Sequence, residues 1–183
     1  MQVIQKNQYQ KMNWKNGFGK TNEIICFPSQ EKFIFRLSQA CIQQNCEFSK
    51  YAGYKRLLTV ISGSGLLLNG KKIEPLGVHS FSGDEFVRCE LIDQEVQDLG
   101  FIYDPKIINA KMYVIRSFKK EEILKKCDLI YLYLLQGELS FGQLALRVGD
   151  TLELQKIDQE ILIRNEIKTS EQLQAILIEI ERL

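Results

Sequence analysis

Two stretches of similar pattern decide the fold of this chain: LLTVISGSGLLLNGKKIEPLG, which runs from Leu57 to Gly77, and IYLYLLQGELSFGQLALRVGD, which runs from Ile130 to Asp150. Each begins with an apolar strand that ends at a glycine, continues with a short strand to a second glycine, and reaches a third glycine seven residues later. Glycine accepts positive φ where a chain reverses direction, so the pattern predicts strands joined by tight turns in an antiparallel double-sheet barrel. The corner glycines are Gly63, Gly70 and Gly77 in the first stretch and Gly137, Gly142 and Gly149 in the second.

The second stretch resembles the strand and turn pattern of the cupin superfamily, through Gly137, Gly142 and the Gly149–Asp150 pair. That resemblance implies small jelly-roll barrels, which often occur in tandem within one chain. We therefore expect two cupin barrels packed together, because neither half of a chain of 183 residues is large enough to bury an extensive hydrophobic core by itself. Residues 1–108 form the predicted N-terminal barrel with the candidate pocket, and residues 109–183 form a C-terminal barrel with a structural or interface role.

Strand signals dominate the rest of the chain, in short segments rich in β-branched and aromatic residues such as Lys32–Ser38, Lys111–Arg116 and Glu160–Ile163. Only Lys119–Lys126 has a helical pattern, with Ser117 as its candidate cap, acidic residues near its start and lysines near its end. The predicted fold class is all-β, a bicupin with one short helical insertion in the second half.

Composition excludes several classes of function. Lys and Arg number 24 and Asp and Glu number 23, so the formal net charge is +1 and no basic patch indicates a nucleic-acid partner. The opening residues are polar, and no later run has the length of a membrane span. We expect a cytoplasmic protein with no nucleic-acid or membrane partner.

The chain also lacks the residues that metal binding and nucleophilic catalysis usually require. His79 is the only histidine, and the five cysteines form no C-x-x-C pair. The cysteines, at positions 26, 41, 46, 89 and 127, are therefore predicted to be reduced thiols. We expect no cofactor, a metal-free pocket and no histidine-dependent catalytic triad.

Polar residues concentrate in the first half at spacings typical of one strand face. Thr21 and Glu23 alternate in one predicted strand, and Arg36 and Ser38 alternate in another. Such alternation places each pair on the same face of its strand, and that face is a candidate lining for the interior of the first barrel.

Several motifs in this half resemble those of the HutD/Ves family, in order and approximate spacing: WKNGFGKTNEI from Trp14, RLSQA from Arg36, FSKYAGYKRLLTVISGSG from Phe48, FSG from Phe81, and Asp98. The resemblance implies a metal-free bicupin associated with bacterial histidine-utilisation operons. The residues that match the family's polar motif are Trp14, Asn16, Thr21, Glu23, Arg36, Ser38, Ser49, Arg56 and Asp98. The chain departs from the family pattern at Phe18 and Cys46, where glycine is usual, and at Gly100, where asparagine is usual.

Arginines near hydroxyl groups suit a small anionic ligand, since a guanidinium binds a carboxylate in bidentate fashion and an indole supplies an apolar wall. We predict a pocket for a small carboxylate or amide metabolite, and the resemblance suggests an intermediate of histidine breakdown such as formylglutamate. In the structural alternative, Arg36 and Arg56 pair internally with Glu23 or Asp98. Two other functions stay open: a metal-independent enzyme with Glu23 or Asp98 as general base, and an interaction module in which the second barrel supplies a homodimer or partner surface.

Overall fold

The computed structural model describes residues 1–14, 17–117, 127–141, 143–156, 158, 167–169 and 172–183. The predicted helix Lys119–Lys126, the predicted strand Glu160–Ile163, the candidate site residue Asn16 and the corner glycine Gly142 lie outside these residues.

Strands dominate the described residues, as the sequence predicted, and a short 3-10 helix spans Lys6–Gln8. In chain order the strands are β1 (Gln2–Ile4), β2 (Gln10–Asn13), β3 (Gly19–Phe27), β4 (Phe35–Ile42), β5 (Cys46–Glu47), β6 (Lys55–Ser62), β7 (Leu66–Leu68), β8 (Lys71–Ile73), β9 (Val78–Ser82), β10 (Arg88–Leu91), β11 (Val96–Tyr103), β12 (Ile108–Ile115), β13 (Leu129–Gln136), β14 (Leu139–Phe141), β15 (Leu144–Leu146), β16 (Thr151–Gln155), β17 (Ile167–Thr169) and β18 (Gln174–Arg182). No helix in the described part of the chain is long and apolar enough to cross a membrane.

The first compact unit, Tyr9–Ile108, contains two antiparallel sheets. A six-stranded sheet has the order β2-β3-β4-β11-β6-β9, and a four-stranded sheet has the order β5-β10-β7-β8. One apolar core joins them, with Leu58 and Val60 from the larger sheet and Leu66, Leu68 and Cys89 from the smaller. This is the double-sheet arrangement of a jelly roll.

The corner glycines behave as predicted at four positions. Gly63, Gly70, Gly137 and Gly149 all have positive φ. The third corner of the first stretch differs, because Leu76 takes the positive φ of 62° there and Gly77 does not. Pro75 occupies the second position of this turn, and the Gly77 amide donates to the Glu74 carbonyl at 2.9 Å, which places Leu76 where a type II turn requires positive φ.

The second compact unit contains Met1–Gln8 and Asn109–Leu183. Its five-stranded sheet has the order β1-β16-β13-β18-β12, and its three-stranded sheet has the order β15-β14-β17. The sequence-based division placed residues 1–8 in the first barrel. They belong with the second unit because β1 pairs antiparallel with β16, with Val3 opposite Leu152.

Candidate functional site

A cavity of about 620 Å³ lies within the Tyr9–Ile108 unit, on the inner face of the six-stranded sheet. Seven of the nine predicted site residues line it: Trp14, Thr21, Arg36, Ser38, Ser49, Arg56 and Asp98. The other lining residues are Met12, Asn13, Ala40, Glu47, Phe48, Tyr51, Leu57, Leu58, Gly100 and Ile102. Of the two predicted residues that are not in this lining, Glu23 contacts Arg36 and Asn16 lies outside the described residues.

Strand register explains why residues far apart in the sequence meet here. Ser38 of β4 lies opposite Glu23 of β3 and Gly100 of β11, and its neighbour but one, Ala40, lies opposite Thr21 and Asp98. Side chains of directly paired residues point to the same face of a sheet. The alternation read from the sequence therefore does place these residues on one face.

Trp14 is fixed against the wall of the cavity. Its indole Nε1 donates a hydrogen bond to Oγ1 of Thr21 at 2.7 Å, and its backbone amide donates to the Gly19 carbonyl at 3.0 Å. A Cβ at Gly19 would lie 2.9 Å from the indole ring and 2.6 Å from the Cys41 carbonyl oxygen. Glycine at position 19 thus lets the ring lie directly on β3.

Arg36 is neutralised inside the protein. Its Nε lies 2.7 Å from Oε2 of Glu23, and its Nη1 donates a hydrogen bond to the Tyr51 hydroxyl at 3.1 Å. The other carboxylate oxygen of Glu23 accepts from Nε2 of Gln30 at 2.9 Å. Both charged side chains are largely buried, with 17% of Arg36 and 7% of Glu23 exposed. Each buried charge therefore has an oppositely charged partner. The structural alternative therefore describes Arg36 correctly.

Arg56 has a different environment. Its Cζ lies 5.0, 5.6 and 4.7 Å from the ring centroids of Phe48, Tyr51 and Phe81, which we call the aromatic cage, and its Nη1 donates to the Ser49 carbonyl at 3.1 Å. Arg56 forms no ion pair within 4.0 Å with any acidic side chain of the described residues. Burial lowers the pKa of its guanidinium, and the charge of Asp98 opposes that shift. Cation–π contacts, worth about 0.5–2 kcal/mol each, stabilise the cation without neutralising it.

Asp98 is a buried carboxyl group in the lining. It is 5% exposed, and its Oδ1 accepts a hydrogen bond from the Ala40 amide at 3.3 Å. Burial raises its pKa from 3.8 to about 7, although Arg56 and the Ala40 amide favour the ionised form. At neutral pH the group is therefore close to half protonated, and it does not fully cancel the charge of Arg56.

The role of the aromatic cage was not predicted from the sequence. All three rings stand in the motifs quoted above, but Phe48 and Tyr51 lie in a loop where strand alternation gives no signal. Gly83 holds this loop in place, since its amide donates to the Tyr54 carbonyl at 2.7 Å and its carbonyl accepts from the Tyr51 amide at 2.8 Å. A Cβ at Gly83 would lie 2.2 Å from the Tyr51 carbonyl oxygen, so the third letter of the FSG motif allows this close approach.

Metal ligands do not gather in the described residues, where no group of three or more His, Cys, Asp or Glu side chains is placed to hold an ion. His79 stacks on Phe81 at 5.6 Å, and burial lowers its pKa below 6.5. The absence of a metal from the pocket stays a prediction.

Comparisons with known sequences point to one family. The family model described as HutD matches residues 6–175. An uncharacterized 21.2 kDa protein in the hutC 3′ region of Pseudomonas putida is 36% identical over 119 residues, which are 61% of this chain and 63% of that protein. Protein Ves of Citrobacter koseri is 35% identical over 111 residues, 55% of this chain and 56% of that protein. The chain thus spans less than two thirds of the length of these curated relatives.

Solved structures give matches over the whole chain. A conserved protein of unknown function from Pseudomonas aeruginosa PAO1 has a TM-score of 0.80 at 24% identity, and HutD from Pseudomonas fluorescens SBW25 has a TM-score of 0.78 at 28% identity; each match covers 100% of this chain and 98% of the other. A cupin 2 conserved barrel domain protein from Leptotrichia buccalis has a TM-score of 0.53 at 10% identity, over 97% of this chain and 100% of that one. The likeness confirms the predicted all-β bicupin fold.

Proposed function

Because the chain belongs to the HutD family, as its motifs predicted, we propose that the Tyr9–Ile108 unit binds a small metabolite through a carboxylate group at Arg56. The observation that carries this proposal is the state of the Arg56 guanidinium, which lines the cavity inside an aromatic cage and has no acidic partner within 4.0 Å among the described residues. A half-buried cation that is only partly compensated, by a carboxyl group that is itself partly protonated, attracts an anion that enters the cavity.

The charge balance of the lining supports a ligand that binds through one carboxylate at Arg56. Glu23 cancels the charge of Arg36, and Asp98 is only partly ionised near pH 7. Arg56 therefore contributes at most one positive charge that the buried acids do not cancel, and the remaining acidic residue of the lining, Glu47, is exposed to solvent. A guanidinium edge binds a carboxylate with two parallel hydrogen bonds, which adds geometric selectivity to the charge attraction.

Neutral polar groups complete the lining. The Tyr51 hydroxyl, the Ser38 hydroxyl and the Thr21–Trp14 pair offer hydrogen bonds without net charge. Such groups suit an amide or hydroxyl at the far end of the ligand, and the Trp14 indole gives it an apolar wall. The expected ligand is a small acid with an amide or similar neutral group.

The biological role we propose is that of a non-catalytic regulator linked to histidine utilisation in the cytoplasm. The support for this link is the name of the P. putida relative, which places that protein in a hutC 3′ region, together with the family itself. An intermediate of histidine breakdown such as formylglutamate has a carboxylate for Arg56 and an amide for the neutral polar groups of the lining.

The test is a thermal-shift screen of the full chain with acetate, butyrate, hexanoate, glutarate and N-formylglutamate. A ligand at a hundredfold over its Kd should stabilise the folded state by roughly 2.7 kcal/mol. Arg56→Met should abolish the shift, because it keeps an apolar chain in the aromatic cage and removes the charge. Arg88→Met is the matched control, since Arg88 is 66% exposed and pairs with Glu90 outside the lining. Ligand-induced shifts that survive in Arg56→Met would contradict the proposal, as would a screen in which no acid stabilises the parent protein.

A second candidate function is a metal-independent enzyme, and the observation in its favour is Asp98. A carboxyl group with a pKa of about 7 inside a cavity, beside a guanidinium, suits general acid–base catalysis near neutral pH. Glu23, the other predicted base, is held by Arg36 and Gln30. Turnover of a bound acid that is lost in Asp98→Asn while binding persists would favour the enzyme over the regulator.

A further inference from the structure

Gly100 occupies an unusual place for a glycine, the middle of a central strand. It lies in β11, which pairs with β4 on one side and β6 on the other. Its direct partners are Ser38 and Leu58, both of which line the cavity. Asp98 and Ile102, two residues before and after it, line the cavity as well. A side chain at position 100 would therefore point into the cavity.

Neither the backbone nor the packing requires a glycine here. The φ of Gly100 is not positive, so an L-residue could adopt its conformation. A Cβ at this position would meet no atom closer than the Ser38 carbonyl oxygen, at 4.0 Å. Gly19 and Gly83 differ, because a Cβ there would lie 2.6 Å and 2.2 Å from backbone oxygens. Glycine also weakens a strand interior, and it commonly marks a place where a ligand approaches the backbone closely.

The vacant position has apolar neighbours on two sides. Leu58 is 2% exposed and Ile102 is 6% exposed, and the polar neighbours on the same face are Ser38 and Asp98. Arg56 lies opposite Ile102 in the register of β6 and β11, two residues along the strand from Gly100. Two residues of a strand span about 7 Å, so a chain that extends from the Arg56 end of the cavity reaches Gly100 only when it has several carbon atoms.

We propose that Gly100 is a specificity-determining residue: the space left by its missing side chain receives the aliphatic part of a carboxylate ligand, which lies against the β11 backbone between Ser38 and Leu58. This inference rests on the proposed function, since the carboxylate of the same ligand binds at Arg56. It adds to the proposed function a preference for ligand length, because short acids do not reach the space at Gly100 and longer acids fill it.

The test measures the Kd of acetate, butyrate and hexanoate by calorimetry for the parent protein, Gly100→Ala and Gly100→Val. Valine at position 100 would extend into the vacant space, so it should weaken hexanoate binding at least tenfold and acetate binding less than twofold. Gly100→Ala should weaken binding less than Gly100→Val, again more for hexanoate than for acetate. It can be measured if the valine variant does not fold. Ser80→Val is the matched control, because Ser80 is an exposed residue of β9 outside the lining.

Two other outcomes separate this inference from the proposed function. If the acids bind through Arg56 but Gly100→Val weakens all three equally or none of them, the role of Gly100 is wrong and the proposed function stands. If none of the acids binds the parent protein, or binding persists in Arg56→Met, the proposed function is wrong and the role of Gly100 is lost with it.

Discussion

Asp98 should make the folded protein less stable as pH rises, the reverse of the usual behaviour of an aspartate. Its pKa is raised by burial in the folded state, so the folded protein binds this proton more tightly than the unfolded chain between pH 3.8 and about 7. Stability from this group is fully present below pH 3.8 and is lost as pH rises through about 7. Asp98→Asn keeps the size and an oxygen that can accept from the Ala40 amide, and it removes the titration.

The size of the effect follows from the two pKa values. A rise from 3.8 to about 7 corresponds to about 4 kcal/mol of stability at 1.36 kcal/mol per pKa unit. Roughly 2 to 3 kcal/mol of this falls between pH 5 and pH 8, because part of the change occurs below pH 5. The side chain is 5% exposed, so solvent screening reduces the effect little.

The assay is urea unfolding of the parent protein and of Asp98→Asn at pH 5, 6, 7 and 8. The difference in free energy of unfolding between the two proteins should shift by roughly 2 to 3 kcal/mol in favour of the asparagine variant from pH 5 to pH 8. Other titrating groups are common to both proteins and cancel in this difference. Asp93→Asn, the same change at an exposed aspartate, is the matched control. A difference for Asp98→Asn that stays constant within 0.5 kcal/mol, roughly a third of one pKa unit, would refute the reasoning.

Four further results are expected. Trp14 is the only tryptophan and lines the cavity, so a carboxylate that raises the melting temperature should also change its emission, and constant emission would argue against binding there. The affinity for butyrate should rise from pH 8 to pH 6 as protonation of Asp98 removes a negative charge near Arg56, whereas Asp98→Asn should show no such rise in calorimetry. Glu23→Gln should lower the free energy of unfolding by about 3 kcal/mol because it strips the buried guanidinium beside it of its partner, and urea unfolding within 0.5 kcal/mol of the parent would argue against the pair. The ring protons of His79 should titrate in NMR with a midpoint below 6.5, because burial disfavours the charged ring, and a higher midpoint would contradict that environment.

The fold was predictable largely from the glycine corners and the strand alternation. Gly63 and Gly137 mark turns whose positive φ glycine accepts most readily, and such positions can be read from the sequence directly. The left-handed Leu76 could not be read in this way, because the choice between adjacent residues of a turn depends on local hydrogen bonds. The pairing of β1 with β16 joins residues about 150 positions apart, and no local pattern specifies such a long-range contact.

The candidate site was predictable where it follows strand periodicity. Thr21, Glu23 and Ser38 lie on one face because alternation and register place them there. Which of the two arginines has an internal carboxylate partner was not predictable, since that depends on distances of a few ångströms between strands: Arg36 contacts Glu23, whereas Arg56 lies among aromatic rings. Phe48 and Tyr51 come from a loop, and Phe81 lies opposite Arg56 on β9, the neighbouring strand of the sheet but a separate stretch of the sequence, so the rings share no sequence spacing with Arg56.

The central claim is that the Arg56 guanidinium receives the carboxylate of a ligand. NMR of the protein with ¹⁵N-labelled arginine tests it most directly, with the Arg56 Nε–H resonance assigned through its loss in Arg56→Lys. Titration with butyrate, hexanoate or N-formylglutamate should move this resonance in a saturable way, while that of Arg88 stays in place. A ligand that stabilises the protein and leaves the Arg56 resonance unmoved at saturation would contradict the account.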